Sequence, residues 1–300
     1  MLCAAVTGTS LAGALSSVAA DAVDLRDGGT ARFRGAGYVV DFTTIQPDVV
    51  TSPAALGSLY SLRGISGVGG VEEGFNAGTS RGVPVMPHVD SVISGAMDVT
   101  LGEIGILPEG LGARPVASAV FALKINEPAW TVGAAGGPRQ VGPNPKSAVS
   151  LDEFQIWVAD APIANATSLD NLAAHARLVY DLDVNSASSA AGDRSLLLND
   201  SGPSPASADL YVGIPKSLFD AAGATASSYV YLYSKFGAQA GFEADAGFES
   251  WSYLRSGSVP AVFTVVSSVP EASTWIGALV LTSLCGGAFW MRRRPPVATA

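Results

Sequence analysis

Hydrophobic and polar residues alternate in short runs along the middle of the chain. Between residues 151 and 159, Phe154, Ile156 and Val158 occupy every second position, with Gln155 and Trp157 between them. A period of two places successive side chains on opposite faces, so each run predicts a β-strand. Turn residues separate nine such runs, which cover residues 32–42, 97–107, 116–125, 151–159, 177–185, 208–214, 229–236, 248–255 and 259–266.

Helical periodicity is confined to two short segments, residues 168–176 and 215–222. Neither is long enough to organise a parallel sheet. The pattern therefore predicts an all-β fold, an antiparallel β-sandwich that is jelly-roll-like, over residues 23–268. We expect the Gly- and Pro-rich stretch 133–147 to be a surface insertion, because the segments on either side are each too small to bury a core alone.

The two ends of the chain depart from this alternation. Residues 2–20 are small, apolar and uncharged, and Val18-Ala19-Ala20 and Ala20-Asp21-Ala22 both fit the spacing that signal peptidase reads. We expect residues 1–22 to form an N-terminal signal helix, although the usual basic residues before it are missing. Residues 275–291 form a second apolar run, just long enough to cross a membrane as a single helix. Arg292, Arg293 and Arg294 follow it and predict a cytoplasmic C-terminus.

A short polar motif precedes the second apolar run. It reads Val269-Pro270-Glu271-Ala272-Ser273-Thr274. Together with the apolar run and the arginines, it resembles the PEP-CTERM sorting signal, whose usual signature is Val-Pro-Glu-Pro-Ser-Thr. Ala272 replaces the second Pro, and the matching residues are Val269, Pro270, Glu271, Ser273 and Thr274. The resemblance implies that residues 269–294 are a sorting signal: an exosortase-type membrane protease recognises the motif at 269–274, removes the helix, and releases or transfers the body to the cell surface. A plain single-pass anchor is the alternative.

A second resemblance covers residues 70–255 of the body. The ordered segments that carry it are similar to a module of other exported proteins with this type of tail. It implies a shared architecture, and no activity is attached to that module. The segments include Glu72-Glu73-Gly74-Phe75-Asn76, Leu151-Asp152-Glu153-Phe154-Gln155-Ile156, Leu178-Val179-Tyr180-Asp181-Leu182-Asp183, Ile214-Pro215-Lys216-Ser217-Leu218-Phe219 and Gly247-Phe248-Glu249-Ser250-Trp251.

The amino-acid composition favours some partners and cellular compartments over others. Charged residues make up only 14% of the chain, and the formal net charge is −9. Low charge with many glycines and serines suits an extracellular β-protein, and the acidic balance disfavours nucleic acid and anionic lipid. The two cysteines, Cys3 and Cys285, both lie in the apolar end segments. The body can therefore have neither a disulfide nor a cysteine-based metal site.

Few residues are suited to catalysis. The chain has two histidines, His88 and His175, and no His-Glu-x-x-His zinc pattern. Asp152 and Glu153 are adjacent, so on a strand they are expected to face opposite ways. An acid pair for glycoside hydrolysis would have to come from distant parts of the fold. We therefore expect no catalytic residues and no reaction catalysed by the body, with a secreted glycoside hydrolase as the less favoured alternative.

One segment has the oxygen ligands of a calcium site. Asp181, Asp183 and Asn185 alternate, so on a strand they share one face, and carboxylate and amide oxygens suit Ca²⁺. The segment fails as an EF-hand loop, since Ser186 stands where Gly is required and Gly192 where Glu is required. The alternative is the solvated outer face of a half-buried strand. No other cofactor is expected.

Three tyrosines suggest a site for carbohydrate. Tyr229, Tyr231 and Tyr233 line one face of a predicted strand. The apolar face of a sugar can stack on such rings, although aromatic residues also stabilise sheets by pairing across strands. The leading hypothesis is an exported protein of the cell surface or extracellular matrix, structural or adhesive and associated with exopolysaccharide. A carbohydrate-binding module, Ca²⁺-dependent or not, is the alternative. The expected partners are the Sec translocon, signal peptidase, the exosortase-type protease and polysaccharide, with no nucleic acid.

Overall fold

β-strands dominate the computed structural model, which describes residues 21–35, 37–50, 52–64, 70–77, 91–94, 96–111, 115–126, 148–163, 166, 168–184, 194–200, 208–244 and 248–259. The strands form two sheets, and the helices between them are short. The prediction of an all-β, sandwich-like fold is therefore confirmed.

Fifteen strands are present in the described residues. In chain order they are β1 (Asp21–Asp24), β2 (Thr30–Gly35), β3 (Tyr38–Thr43), β4 (Leu56–Gly64), β5 (Glu72–Phe75), β6 (Ser91–Ser94), β7 (Val99–Thr100), β8 (Ile106–Leu107), β9 (Ser118–Lys124), β10 (Ala148–Ala159), β11 (Arg177–Asp181), β12 (Arg194–Asn199), β13 (Leu210–Pro215), β14 (Tyr229–Phe236) and β15 (Glu249–Leu254). The α-helices are α1 (Leu169–Ala173) and α2 (Lys216–Ala221), and short 3₁₀ turns cover Pro53–Ala55 and Ser256–Ser258.

The two sheets each combine strands from distant parts of the chain. Sheet A has the order β1-β12-β10-β14-β5, with β11 paired to β10 and β7 paired to β14. Sheet B has the order β2-β3-β13-β9-β15-β4-β6, with β8 paired to β9. Among the described strands, only β1 and β12 pair in parallel. Strands from before and after the stretch 133–147 are neighbours in both sheets.

The core lies between the inner faces of the two sheets. The ring of Phe154 in sheet A lies 5.5 Å from that of Phe42 and 5.2 Å from that of Trp251, both in sheet B. The indole N–H of Trp251 donates to Ser234 Oγ across the interface at 3.0 Å, and the Tyr60 hydroxyl lies 2.8 Å from the same oxygen. The large aromatic residues of sheet B therefore reach sheet A through ring contacts and through one shared hydroxyl.

β10 shows how the sequence pattern selects the inner face. Phe154, Ile156 and Val158 are fully buried between the sheets. Glu153 and Trp157 alternate with them and are half-buried on the outer face of sheet A. The period of two predicted for this strand is confirmed, and it fixes which side chains can face a ligand.

Both helices lie where they were predicted. Ser168 caps α1, because its side-chain oxygen accepts a hydrogen bond from the backbone N–H of Asn171 at 3.1 Å. Pro215 precedes the first residue of α2, and Gly223, at φ 70°, follows its end. Leu172 is the buried residue that anchors α1 to sheet A.

Three predicted strands have different bounds. Residues 32–42 form a hairpin of β2 and β3, because Gly37 adopts a φ of 83° that reverses the chain. Residues 97–107 contain two short strands, β7 and β8, joined by a turn. The strand predicted for 177–185 ends at Asp181. The run 259–266 lies almost wholly outside the described residues.

Five strands were not predicted, namely β1, β4, β5, β6 and β12. β4 interrupts its apolar residues with Gly57 and serines, and β5 begins with the acidic pair Glu72 and Glu73. β12 contains three leucines in succession, a run too short to be distinguished from a helix by its period. These strands are held by their neighbours in the sheet more than by their own pattern.

The predicted helices at the two ends of the chain, in residues 1–22 and 275–291, are not supported by the structure. Residues 1–20 and 260–300 lie outside the described part of the chain. Within the described part, no helix has the length and apolar character needed to span a membrane. β1 begins at Asp21, so Asp21 and Ala22, the last two residues of the predicted leader, pair with β12 in sheet A.

Candidate functional site

The outer face of sheet A carries the aromatic row predicted from the sequence. Tyr229, Tyr231 and Tyr233 share this face of β14, and Val230 and Leu232 face the core between them. Tyr229 is half-buried, but Tyr231 and Tyr233 are only 0% and 3% exposed. The prediction that the three residues share a face is confirmed.

The segment that leads into α1 covers most of this row. Ile163, Ala166 and Leu172 pack with the tyrosines in one buried cluster. The backbone N–H of Ile163 donates to Tyr231 Oη at 2.7 Å. Burial, and to a smaller extent the nearby Asp98 carboxylate, raises the pKa of Tyr231 to about 12. Tyr231 and Tyr233 therefore do not form the open stacking surface that the prediction required, since a cover of apolar side chains occupies that position.

Trp157 lies beside the row and is only half-buried. Its neighbours across the strands are Tyr231 on β14 and Leu178 on β11, and Leu178 is 41% exposed. The indole N–H donates to Gln155 Oε1 at 3.0 Å, and Gln155 Nε2 donates to Asp181 Oδ2 at 3.1 Å. We call Gln155, Trp157, Leu178 and Asp181 the Trp157 platform. Its ring and its amide are held in place by a chain of hydrogen bonds that ends on a carboxylate.

Carboxylates gather around Lys235 next to this platform. Lys235 Nζ donates to Glu153 Oε1 at 3.2 Å, and Glu73 and Asp152 are also close. Burial opposes the charge of the ammonium group, but these carboxylates raise the pKa of Lys235 above its usual value. The Tyr233 hydroxyl donates to Glu73 Oε2 at 2.7 Å. Burial, followed by the charges of Glu153 and Glu73, raises the pKa of Tyr233 as well.

Asp152 lies at an irregularity in β10. The register with β14 shifts between Leu151 and Glu153, so the strict alternation expected for Asp152 and Glu153 does not hold there. Asp152 is 3% exposed, and its Oδ2 accepts hydrogen bonds from Ser150 Oγ at 2.9 Å and from the backbone N–H of Ala238 at 2.6 Å. Burial outweighs these bonds and raises the pKa of Asp152. The residue therefore fastens the bulge to the loop after β14.

Two of the three predicted calcium ligands, Asp181 and Asp183, accept hydrogen bonds from the protein's own backbone. Asp181 Oδ1 accepts from the backbone N–H of Asp183 at 2.8 Å, and Asp183 Oδ1 accepts from that of Arg194 at 2.9 Å. Burial raises the pKa of Asp181. Asn185 lies outside the described residues, and within them no group of three or more His, Cys, Asp or Glu could hold a metal. Calcium binding stays a prediction.

Asp98 differs from these carboxylates. Both of its oxygens are buried without a hydrogen-bond partner in the part of the chain that the structure describes, and burial raises the pKa of Asp98. Asn76 holds the neighbouring backbone in place, because its amide donates to the carbonyl oxygens of Met97 and Val230, each at 3.0 Å. Asp98 is thus held close to Tyr231 at the edge of the covered row.

A shallow depression of about 560 Å³ lies beside α1. Arg177 and Asp160 form a two-pronged ion pair there, with N–O distances of 2.9 and 2.7 Å. His175 Nδ1 lies 2.9 Å from the carbonyl oxygen of Asn171, so a backbone group rather than an acid orients this imidazole. His88 lies outside the described residues. The depression therefore does not assemble an acid–histidine pair from the described residues that line it.

One further sequence pattern, Gly78-Thr79-Ser80-Arg81-Gly82, was not predicted as a candidate site. Its spacing is that of the Gly-x-Ser-x-Gly nucleophile elbow of hydrolases, a pattern that is a hypothesis until a strand–turn–helix context is seen. The segment lies outside the described residues.

The sorting motif and the three arginines at positions 292–294 also lie outside the described residues. In comparisons with known proteins, no family model, no curated protein and no solved structure matches the chain. The function of the chain must therefore be inferred from its own residues.

Proposed function

We propose that the chain is an exported protein of the cell surface or extracellular matrix, structural or adhesive and associated with exopolysaccharide. One observation carries this proposal: the motif at 269–274, the apolar run at 275–291 and the arginines at 292–294 follow one another without interruption. An apolar helix with a cationic end is held in the membrane with that end in the cytoplasm. The Sec translocon and signal peptidase would act first, and an exosortase-type protease would then cut at the motif.

The composition of the body supports export. Cys3 and Cys285 lie in the end segments, so an oxidising compartment offers the body no thiols to pair wrongly. The net charge of −9 favours solubility and disfavours adsorption to anionic lipid. The same proposal includes a signal helix in residues 1–22 and a single transmembrane helix in residues 275–291. It also includes a jelly-roll-like connectivity for the body between them.

β1 favours one of the two leader cleavage positions. Asp21 and Ala22 pair with Arg194 and Ser195 of β12, so cleavage after Ala20 would leave the strand complete. Cleavage after Ala22 would remove half of the four residues of β1. We therefore expect the mature N-terminus at Asp21.

Intact-mass spectrometry of the protein from a host with an exosortase-type protease tests both processing steps. We expect a chain that begins at Asp21 and ends near Val269 or Glu271. Glu271→Ala should leave the tail attached, whereas Ala272→Pro completes the usual signature and should be processed at least as well as the natural chain. An uncut chain that is soluble in the cytosol would overturn the proposal.

No reaction of the body is part of the proposal, and the hydrolase alternative has its own test. A fluorophosphonate probe labels activated serines, so we expect no labelling of the folded body. Ser66, in the glycine-rich segment Gly64-Ile65-Ser66-Gly67 that lacks the elbow spacing, provides a matched control. Labelling that disappears in Ser80→Ala and persists in Ser66→Ala would instead favour a serine hydrolase.

A further inference from the structure

The Trp157 ring is held rigidly at a partly open position of the outer face. Its indole N–H is engaged by Gln155, and Gln155 is itself held by Asp181. A ring that is fixed before binding loses little conformational entropy when a ligand stacks on it. Trp157 packs on one side against the buried tyrosine cluster, and its neighbour on β11, Leu178, is 41% exposed. The platform therefore presents an apolar surface bordered by hydrogen-bonding groups.

Polar groups follow this surface along the same face of β10. Glu153, Gln155 and Trp157 alternate, so neighbouring side chains of the three are about 7 Å apart along the strand. The Glu153 carboxylate shares its ion pair with Lys235 Nζ at 3.2 Å, and both side chains are about one-quarter exposed. Stacking on an aromatic ring combined with a row of acceptors and donors matches the two faces of a sugar, which has apolar C–H groups and equatorial hydroxyls.

The charge of this face selects between classes of polysaccharide. Among the described residues of this face, the carboxylates of Glu73, Glu153 and Asp181 outnumber the ammonium of Lys235. The neighbouring Arg177–Asp160 ion pair adds no net charge. The surplus of negative charge would repel a polymer of uronic acids or sulfated sugars. A neutral or amino-sugar polymer meets no such repulsion, and an amino sugar gains attraction.

We propose that the Trp157 platform binds neutral or amino-sugar polysaccharide, with one sugar ring stacked on Trp157 and its neighbour hydrogen-bonded by Glu153 and Lys235. The proposal takes from the proposed function only the setting in which such a polymer is met. The proposed sugar-binding surface is therefore Trp157 and not the tyrosine row beside it, which is largely covered.

Affinity electrophoresis and tryptophan fluorescence of the purified body test this site. Three probes cover the classes: a soluble neutral β-glucan, a chitosan oligosaccharide and alginate as the anionic polymer. We expect the glucan or the chitosan oligosaccharide to retard the protein and change its tryptophan emission, and alginate to do neither. Binding of alginate alone, or of none of the three probes, would overturn the proposal.

Variants locate the binding on the platform. Trp157→Ala should weaken binding at least tenfold, and Trp157→Phe should restore part of it because a smaller ring remains. Phe248, an aromatic residue just before β15 that is 38% exposed, provides the matched control, and Phe248→Ala should bind as the natural protein does. Circular dichroism confirms that each variant is folded. Equal binding by folded Trp157→Ala would show that the sugar binds elsewhere.

These results are independent of sorting. A body that binds sugar while the full chain remains uncut in the cytosol would sink the proposed export and keep the platform. A chain that is exported and trimmed but fails with all three probes would do the reverse.

Discussion

The outer faces of the two sheets are built differently. Sheet B covers its outer face with small and aliphatic residues around one tyrosine, in a buried cluster of Val50, Ala55, Leu107, Val120, Ala122, Tyr211 and Leu254. Its polar contacts include a neutral hydroxyl pair, Ser61 and Ser250, 2.8 Å apart. Sheet A covers half of its outer face in the same way, but leaves Trp157 and the charged groups around Lys235 partly open.

The outer faces of the two sheets differ because different side chains alternate with the core residues along their strands. In β9 the central outward positions are Val120 and Ala122, which lie in the buried apolar cluster, and the charged Lys124 stands only at the end of the strand. In β10 the outward positions are Glu153, Gln155 and Trp157, and burial of all three would remove charge from water. Recognition of a ligand is thus expected on the sheet whose outward positions combine an aromatic ring with charge.

The largest effect should come from removing the buried tyrosine of either outer face. Tyr231→Ala and Tyr211→Ala each delete a fully buried ring, and each should lower the free energy of unfolding by about 3–5 kcal/mol. Urea denaturation measures both. Tyr231→Phe is the control, since it loses only the bond from Ile163 and should lower the free energy by about 1 kcal/mol. A change below about 1 kcal/mol in Tyr231→Ala would mean that the α1 segment does not cover sheet A in solution.

A smaller loss in the free energy of unfolding should distinguish a charged hydrogen-bond acceptor on sheet A from a neutral hydroxyl pair on sheet B. Asp152→Ala removes the acceptor of Ser150 Oγ and of the Ala238 N–H, and should lower the free energy of unfolding by about 2 kcal/mol. Ser250→Ala breaks the hydroxyl pair of sheet B at a half-buried position and should lower it by about 0.5 kcal/mol. Both variants are compared by thermal unfolding at pH 7. Equal losses would remove the contrast drawn between the faces.

Asp98→Asn should raise stability, and the gain should depend on pH. Because burial raises the pKa of Asp98 in the folded protein, the folded state holds its proton more tightly than the unfolded chain does. The stability contributed by the protonated group is present below the unfolded value of about 3.9 and is lost as the pH rises through the folded pKa. At pH 7 the free energy of unfolding of the Asn variant should therefore exceed that of the natural protein by about 1 kcal/mol. Near pH 3 the variant should have no advantage. A gain that is the same at both pH values would exclude titration of Asp98 as its cause.

The smallest effect should come from an exposed ion pair. Lys216 and Asp220 lie one helical turn apart in α2, with their charged atoms 2.6 Å from each other and about half of each side chain exposed. Asp220→Asn should lower the free energy of unfolding by about 0.3 kcal/mol or less. Lys235→Met, which removes the half-buried ammonium between carboxylates, should lower it more. The ratio of the two, from paired urea titrations, measures how far the outer face of sheet A is shielded from water.

The elements predicted correctly from the sequence are those whose own residues carry a clear local signal. β10 and β14 are long and alternate over most of their length, and α1 has a capping serine, so local rules locate them. β1 and β12 depend on each other and lie far apart in the chain. Their parallel pairing is a property of the assembled sheet and has no local signature.

The site was predicted in part for the same reason. Periodicity placed Tyr229, Tyr231 and Tyr233 on one face correctly, but it carries no information on what packs above that face. The cover comes from Ile163, Ala166 and Leu172, which belong to a different segment of the chain. Trp157 was placed on the outer face from its spacing alone, and only the neighbouring strands show that it is the ring left partly open.

The parallel pairing of β1 with β12 has a consequence for the order in which the molecule assembles. The first strand of the body must wait for a partner that is synthesised after most of the chain, and it cannot close sheet A earlier. If the chain crosses a membrane from its N-terminus, that strand emerges first and docks late. A short, unpaired strand at the leading end would thus stay accessible to leader cleavage until the rest of the sheet has arrived.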